Sequence, residues 1–198
     1  MKQVIQIRCK NNKKSQKVEI GSTLFDIFSA FDLKMTHGPV SARVNNKVEG
    51  MHYRVYNSKD VEFLDMTSSS GSRTYTRTLF FVLCKAVQDI YPATDVVIDI
   101  PVSNGFYVDI RLGRPVVDED VNIIRRRMQE IIDARMPIRR FTMPTEEAVA
   151  LFQEKGDVEK VKLLKTSGAI YTTYYKIGDY VDYYYGTLLT NTSQLYLF

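Results

Sequence analysis

Thr67-Ser68-Ser69-Ser70-Gly71-Ser72 is the stretch on which the reading of this chain turns. It is the one low-complexity segment in 198 residues, and its side chains offer almost no apolar surface to bury. Such segments connect folded units rather than belong to one. The run therefore predicts a linker at 67–73, between a first domain at 1–66 and a second at 74–198. The chain length suits two small domains.

Upstream of the run, Ile5, Ile7 and Cys9 alternate with Gln6 and Arg8, the pattern of a half-buried strand. The polar cluster Lys10–Ser15 predicts a hairpin turn, with Lys17–Ile20 as the returning strand. Gly21-Ser22-Thr23 supplies a hydroxyl to cap a helix, and Leu24, Ile27, Phe28 and Phe31 follow at helical spacing. Val40–Val44 reads as a strand, Asn45-Asn46 as a tight turn, and Val61–Leu64 as a closing strand. A hairpin, a helix and short strands make a compact sheet with one helix on its face.

Downstream, Thr74–Tyr91 reads as a nearly surrounded helix, with Leu79, Leu83, Val87 and Ile90 on one face and Phe80, Cys84 and Tyr91 widening it. Val96–Ile100 and Phe106–Arg111 are strands about the turn Ser103-Asn104-Gly105. Asp118-Glu119-Asp120 opens a helix, where acidic groups suit the N-terminal dipole, and its stripe is Val121, Ile124, Met128 and Ile131. Arg139–Met143 is a strand, Pro144-Thr145 begins a helix ending at Gly156, and the Tyr-rich stretch 170–185 supplies further strands.

Composition restricts the function classes. With 44% hydrophobic and 25% charged residues, the chain is an ordinary globular one rather than disordered. The longest apolar run, Leu79–Cys84, is too short to span a bilayer, and the start carries no export signal. Cys9 and Cys84 have no paired spacing and read as reduced thiols. A cytoplasmic location is expected. The whole net charge of +4 resides in residues 1–66, where 11 Lys and Arg, Lys2 and Lys17 among them, face 7 Asp and Glu. Lys10, Lys13 and Lys14, with Arg125 and Arg126, are the candidate nucleic-acid contacts. Solvated surface is the simpler reading of each. The tyrosines from Tyr171 to Tyr185 offer either stacking surfaces for bases or ordinary strand packing, and packing is the expectation.

Two family resemblances cover nearly the whole chain. Val40-Ser41-Ala42-Arg43-Val44-Asn45-Asn46-Lys47 and Asp60-Val61-Glu62-Phe63 resemble the TGS domain, a ubiquitin-like module. The second part is similar to the editing domain of threonyl- and alanyl-tRNA synthetases. It carries Ile90-Tyr91-Pro92, Asn104-Gly105-Phe106-Tyr107-Val108-Asp109 and Asp118-Glu119-Asp120-Val121 leading to Arg127-Met128. Lys160-Val161-Lys162-Leu163-Leu164 and Tyr180-Val181-Asp182 complete it. The implied fold is α+β: a ubiquitin-like β-grasp domain, then an α+β domain with a central antiparallel sheet and packed helices.

In the resembled editing family, one helix carries two His four residues apart, and a later segment supplies Cys and His. Here those positions hold Arg77 and Phe81, then Tyr184 and Leu188, none of which can serve as a neutral base or metal ligand in that arrangement. Asp182 remains, and a lone carboxylate makes a poor hydrolytic site. Arg77, Phe81, Asp182, Tyr184 and Leu188 thus outline a remnant pocket. Either it is filled by the bulk of Phe81 and Leu188, with Arg77 at the rim beside Asp182, or it is retuned for a nucleotide, with Tyr184 stacking and Arg77 reaching a phosphate. The filled pocket is the expectation. No catalytic residue and no metal site are assigned.

The same pair of domains stands at the front of bacterial proteins resembling uridine kinases, ahead of a P-loop kinase domain. The apolar end Leu195-Tyr196-Leu197-Phe198 fits a segment truncated within such a parent. The chain has no Gly-x-x-x-x-Gly-Lys-Ser/Thr, so ATP and Mg are implied for the parent's kinase domain alone and no cofactor for this segment. The expected function is a non-catalytic binding or regulatory region of a nucleoside kinase. Its expected partners are that kinase domain and RNA or a nucleotide, with no membrane and with oligomers allowed. A synthetase-related editing or trans-editing deacylase using Asp182 is the enzymatic alternative, and a dimerisation module the structural one.

Overall fold

A computed structural model describes residues 3–103 and 105–196. Lys2 of the basic excess, Asn104 of the expected turn and the terminal Leu197 and Phe198 lie outside the described residues. The chain divides into two compact units, residues 1–136 with 186–198 and residues 137–185. Both are mixed α+β. No described helix is long and apolar enough to cross a membrane.

In the first unit, β1 (Val4–Cys9) and β2 (Ser15–Glu19) form the expected hairpin. Next comes α1 (Leu24–Ala30), begun by a reciprocal cap. The Thr23 hydroxyl accepts from the Asp26 N–H at 3.2 Å, and the Asp26 carboxylate accepts from the Thr23 N–H at 2.8 Å. The sheet is completed by β3 (Ser41–Val44), β4 (Lys47–Glu49) and β5 (Lys59–Leu64), in the order β2-β1-β5-β3-β4 with β1 and β5 parallel. Asn45, at φ 53°, makes the β3–β4 turn. Ile7, Leu24, Ile27, Ala42 and Val61, all fully buried, seal the helix onto the sheet. This is the β-grasp arrangement.

The expected linker at 67–73 is corrected by α2 (Ser69–Ile90), which starts inside it. The Ser68 hydroxyl donates to the Asp65 carbonyl at 2.8 Å and accepts from the Gly71 N–H at 3.1 Å. Gly71 is buried so close to Asp65 that a Cβ would stand 1.8 Å from the carbonyl oxygen. A run that buries no side chain still begins a helix, because a hydroxyl cap and a missing Cβ are what this corner requires.

The buried face of α2 also differs from the apolar stripe. It runs through Thr74, Thr78, Phe81, Val82, Lys85 and Ala86, whereas Leu79, Leu83 and Ile90 are only half-buried. The threonines belong inside because their hydroxyls are satisfied there. Thr78 Oγ1 donates to the Thr74 carbonyl at 2.8 Å and accepts from the Leu189 N–H at 2.9 Å. Then follow the two-stranded ribbon β6 (Val96–Val102) and β7 (Gly105–Ile110), and α3 (Asp118–Asp133). Ile124, Met128 and Ile131 face inward as expected, but Val121 is exposed and Ile132 takes part instead. Residues 186–196 close this unit: Thr192 Oγ1 donates to the Ile131 carbonyl at 2.9 Å, and Leu188, Leu189 and Leu195 are buried.

The second unit comprises β8 (Arg139–Pro144), α4 (Thr145–Glu154), α5 (Val158–Thr166), β9 (Tyr171–Ile177) and β10 (Tyr180–Tyr183). Its antiparallel sheet has the order β10-β9-β8, and Ala148, Phe152 and Leu164 form the core with the two helices. The sequence reading gave no helix at α5. Its nine residues are too few for a clear stripe, and it is begun by Asp157, whose carboxylate accepts from the Lys160 N–H at 3.1 Å.

Candidate functional site

The remnant-pocket residues fall in both units. In the first, α2 presents Arg77 and Phe81 one turn apart, and the closing segment presents Leu188. Two hydrogen bonds tie helix to segment: the Thr74 and Thr187 hydroxyls meet at 3.1 Å, and the Leu189 N–H reaches Thr78 Oγ1. Phe81 is fully buried and Leu188 is 2% exposed. Both positions are therefore core, with neither lone pair nor access for water. The Arg77 guanidinium lies against Gly186, where a Cβ would stand 2.7 Å from Nη1.

In the second unit, Asp182 on β10 is 4% exposed and its oxygens are fully engaged. Oδ2 accepts from the Tyr180 hydroxyl at 2.8 Å, while Oδ1 accepts from the Tyr183 N–H at 2.7 Å and from Lys160 Nζ at 2.6 Å. Within this unit the cation that meets Asp182 is Lys160, supplied by α5. Lys160 also reaches Asp157 at 2.7 Å. Burial works against its charge, but the two carboxylates more than offset that and hold its pKa above the ordinary lysine value. Lys155 sits over the Tyr180 ring at 5.9 Å and donates to the Val181 carbonyl at 3.2 Å. Lost hydration pulls its pKa down. Tyr184 is half-buried in the same unit.

Sequence reasoning missed Lys160 as a site residue. The signal was present, since it opens the Lys160–Leu164 block, but only the fold shows that it faces a buried carboxylate.

The candidate nucleic-acid contacts separate by element. Lys10, Lys13 and Lys14 are exposed at the β1–β2 turn, and Arg125 and Arg126 are exposed on α3. Arg127 instead bonds Asp89 at 2.9 Å and Glu130 at 2.8 Å, so among the described residues only Arg125 and Arg126 of the run stand without an ion pair. Nearby, Asp120 is gripped by Arg114 through both oxygens at 2.6 and 2.7 Å and by the Tyr91 hydroxyl at 2.6 Å. Those bonds hold its carboxyl far below the usual range and fasten residues 114–117 to the start of α3. His37 stacks on Tyr196 and His52 lies edge-on to Phe25.

The tyrosines divide in the same way. Tyr175 and Tyr180 are buried, as packing predicts, while Tyr171 and Tyr185 are exposed. Tyr174 stacks on Phe141 across β8 and β9, with centroids 5.4 Å apart and planes at 21°.

No protein-family model matches the chain. It is similar to curated threonine–tRNA ligases. That of Clostridium kluyveri is 29% identical over 193 residues, covering 96% of this chain and 30% of its own length. That of Acetivibrio thermocellus is 28% identical over 179 residues, 90% of this chain and 28% of its own length. That of Clostridioides difficile is 27% identical over 181 residues, with 91% and 28% covered. The chain thus spans about 30% of the length of the relatives it matches, and matches them along nearly all of its own.

Proposed function

We propose that this chain is a threonyl-tRNA synthetase-related, editing-like region that does not hydrolyse and acts as a binding or regulatory part of its protein. One observation carries the reading. Phe81 and Leu188, where the resembled editing family places histidines, are core residues on elements hydrogen-bonded to each other. Ester hydrolysis needs a base or a metal beside an accessible carbonyl, and two buried hydrocarbon side chains provide neither. The rival, a deacylase built on Asp182, would need a free carboxylate oxygen. Both oxygens of Asp182 already accept hydrogen bonds, and one also faces Lys160.

Mischarged tRNA incubated with the full chain tests this. We expect hydrolysis no faster than the uncatalysed rate. Turnover that disappears in Asp182→Ala would replace the proposal with the deacylase reading.

The finer expectations belong to the same proposal. A TGS identity for residues 1–66 is supported by the β-grasp sheet order and by the residues quoted for it. A uridine kinase-like parent, with ATP and Mg held beyond Phe198, rests on the resemblance alone, and the similarity to threonine–tRNA ligases favours a synthetase-related protein instead. The coding sequence downstream of Phe198 decides between them.

A further inference from the structure

The exposed end of the second unit's sheet carries a charge arrangement that packing does not explain. In the β8–β9 register Arg139 lies directly opposite Lys176, and Phe141 directly opposite Tyr174. Residues two apart on a strand share a face, so Arg139, Phe141, Tyr174 and Lys176 form one four-residue patch. On that face Met143, two residues beyond Phe141, and Tyr183, opposite Tyr174 on β10, pack against the helix core, while Arg139 and Phe141 on the edge strand stay exposed. Arg139 and Lys176 are exposed, and among the described residues neither has an ion pair. Like charges directly opposite on paired strands are destabilising, so an anion seated between them would relieve a repulsion already present. Beside them Phe141 is 38% exposed and stacked on Tyr174, a flat π-surface held in place from behind. The strand that carries Arg139 and Phe141 is an edge of its sheet.

We propose that this β8–β9 patch binds a single-stranded nucleic-acid segment, a base stacking on Phe141 and an adjoining phosphate lying between Arg139 and Lys176. The pairing of an exposed aromatic stack with two unneutralised cations fits a ligand that has both a π-face and an anion in each unit. A duplex offers the phosphates but keeps its bases stacked inside, and an acidic peptide offers charge without the ring. Arg140, exposed on the other face of the same edge strand, adds positive potential along the path of the backbone. The patch lies on different elements from the α3 arginines and the β1–β2 lysines, so the surfaces are separable by mutation. The proposal deepens the non-hydrolytic binding reading by naming a ligand and a surface.

The test is fluorescence anisotropy of a labelled 12-nucleotide RNA with the full chain, at several salt concentrations. Phe141→Ala should weaken binding about tenfold or more, the scale of one lost base stack. Arg139→Gln and Lys176→Gln should each lower the slope of log affinity against log salt by about 0.7. Arg125→Gln with Arg126→Gln should weaken binding less than Phe141→Ala does. The chain contains no Trp, so Phe141→Trp installs a single reporter whose fluorescence the RNA should quench. Absence of binding at low salt, an unquenched Trp, equal competition by polyglutamate, or loss of binding only in the α3 variant would each overturn the proposal. None of these outcomes touches the hydrolysis assay, which alone decides the non-hydrolytic reading.

Discussion

The guanidinium of Arg77 occupies space that exists only because residue 186 is glycine. A Cβ at Gly186 would stand 2.7 Å from Nη1 and 2.9 Å from Cζ, and the backbone there has φ +104°, a conformation side chains strain to adopt. Gly186→Ala should therefore destabilise the first unit by about 1–3 kcal/mol, read from the urea midpoint. Arg77→Ala in the same chain removes the clash but not the strained φ, so the double variant should recover only part of the loss.

Rebuilding the family's histidine pair should fail. Arg77→His with Phe81→His puts an imidazole at a position with no solvent exposure, removing a ring's packing and burying polar nitrogens. A cost of roughly 3–5 kcal/mol is expected, with no gain in deacylation. Calorimetry of the variant beside a hydrolysis assay checks both halves, and a stable, active double variant would show that the pocket is open.

Alkaline stability should depend on Lys160. Its folded pKa lies above the ordinary 10.5, so its contribution is complete below that value and is lost as pH rises through the higher folded one. Urea midpoints measured from pH 8 to 12 should fall for the natural chain over the upper part of that range. In Lys160→Met the midpoint should be lower at pH 8 and the additional alkaline fall smaller. A parallel decline in both proteins would show that the Lys160–Asp182 pair is not the titrating element.

The serine run should behave as helix rather than linker. Ser68→Ala is expected to cost about 1 kcal/mol, the usual value of a lost cap. Gly71→Ala should cost more, because its Cβ would collide with the backbone of Asp65. Limited proteolysis of the natural chain should spare Ser70, and rapid cleavage there would restore the linker.

Local chemistry was legible along the chain wherever a short pattern suffices. The alternation of Ile5, Ile7 and Cys9 gives β1, the hydroxyl in Gly21-Ser22-Thr23 gives the start of α1, and the acidic cluster at 118–120 gives the start of α3. In each case the residues that create the signal also make the contacts. The replacement of the family's histidines by Arg77, Phe81 and Leu188 was equally visible, because it concerns residue type alone.

Partners distant in sequence were decided only by the tertiary structure. Thr74 and Thr78 are not in the apolar stripe read from the sequence, yet they line the buried face of α2 because Thr187 and Leu189, over a hundred residues later, complete their hydrogen bonds. Asp182 is met within its own unit by Lys160, a pairing made by the fold of the chain between residues 160 and 182. The opposition of Arg139 to Lys176 depends on strand register, which the chain between them does not reveal. A sequence records what each side chain can do; burial and pairing depend on which other side chains the fold brings within a few ångströms.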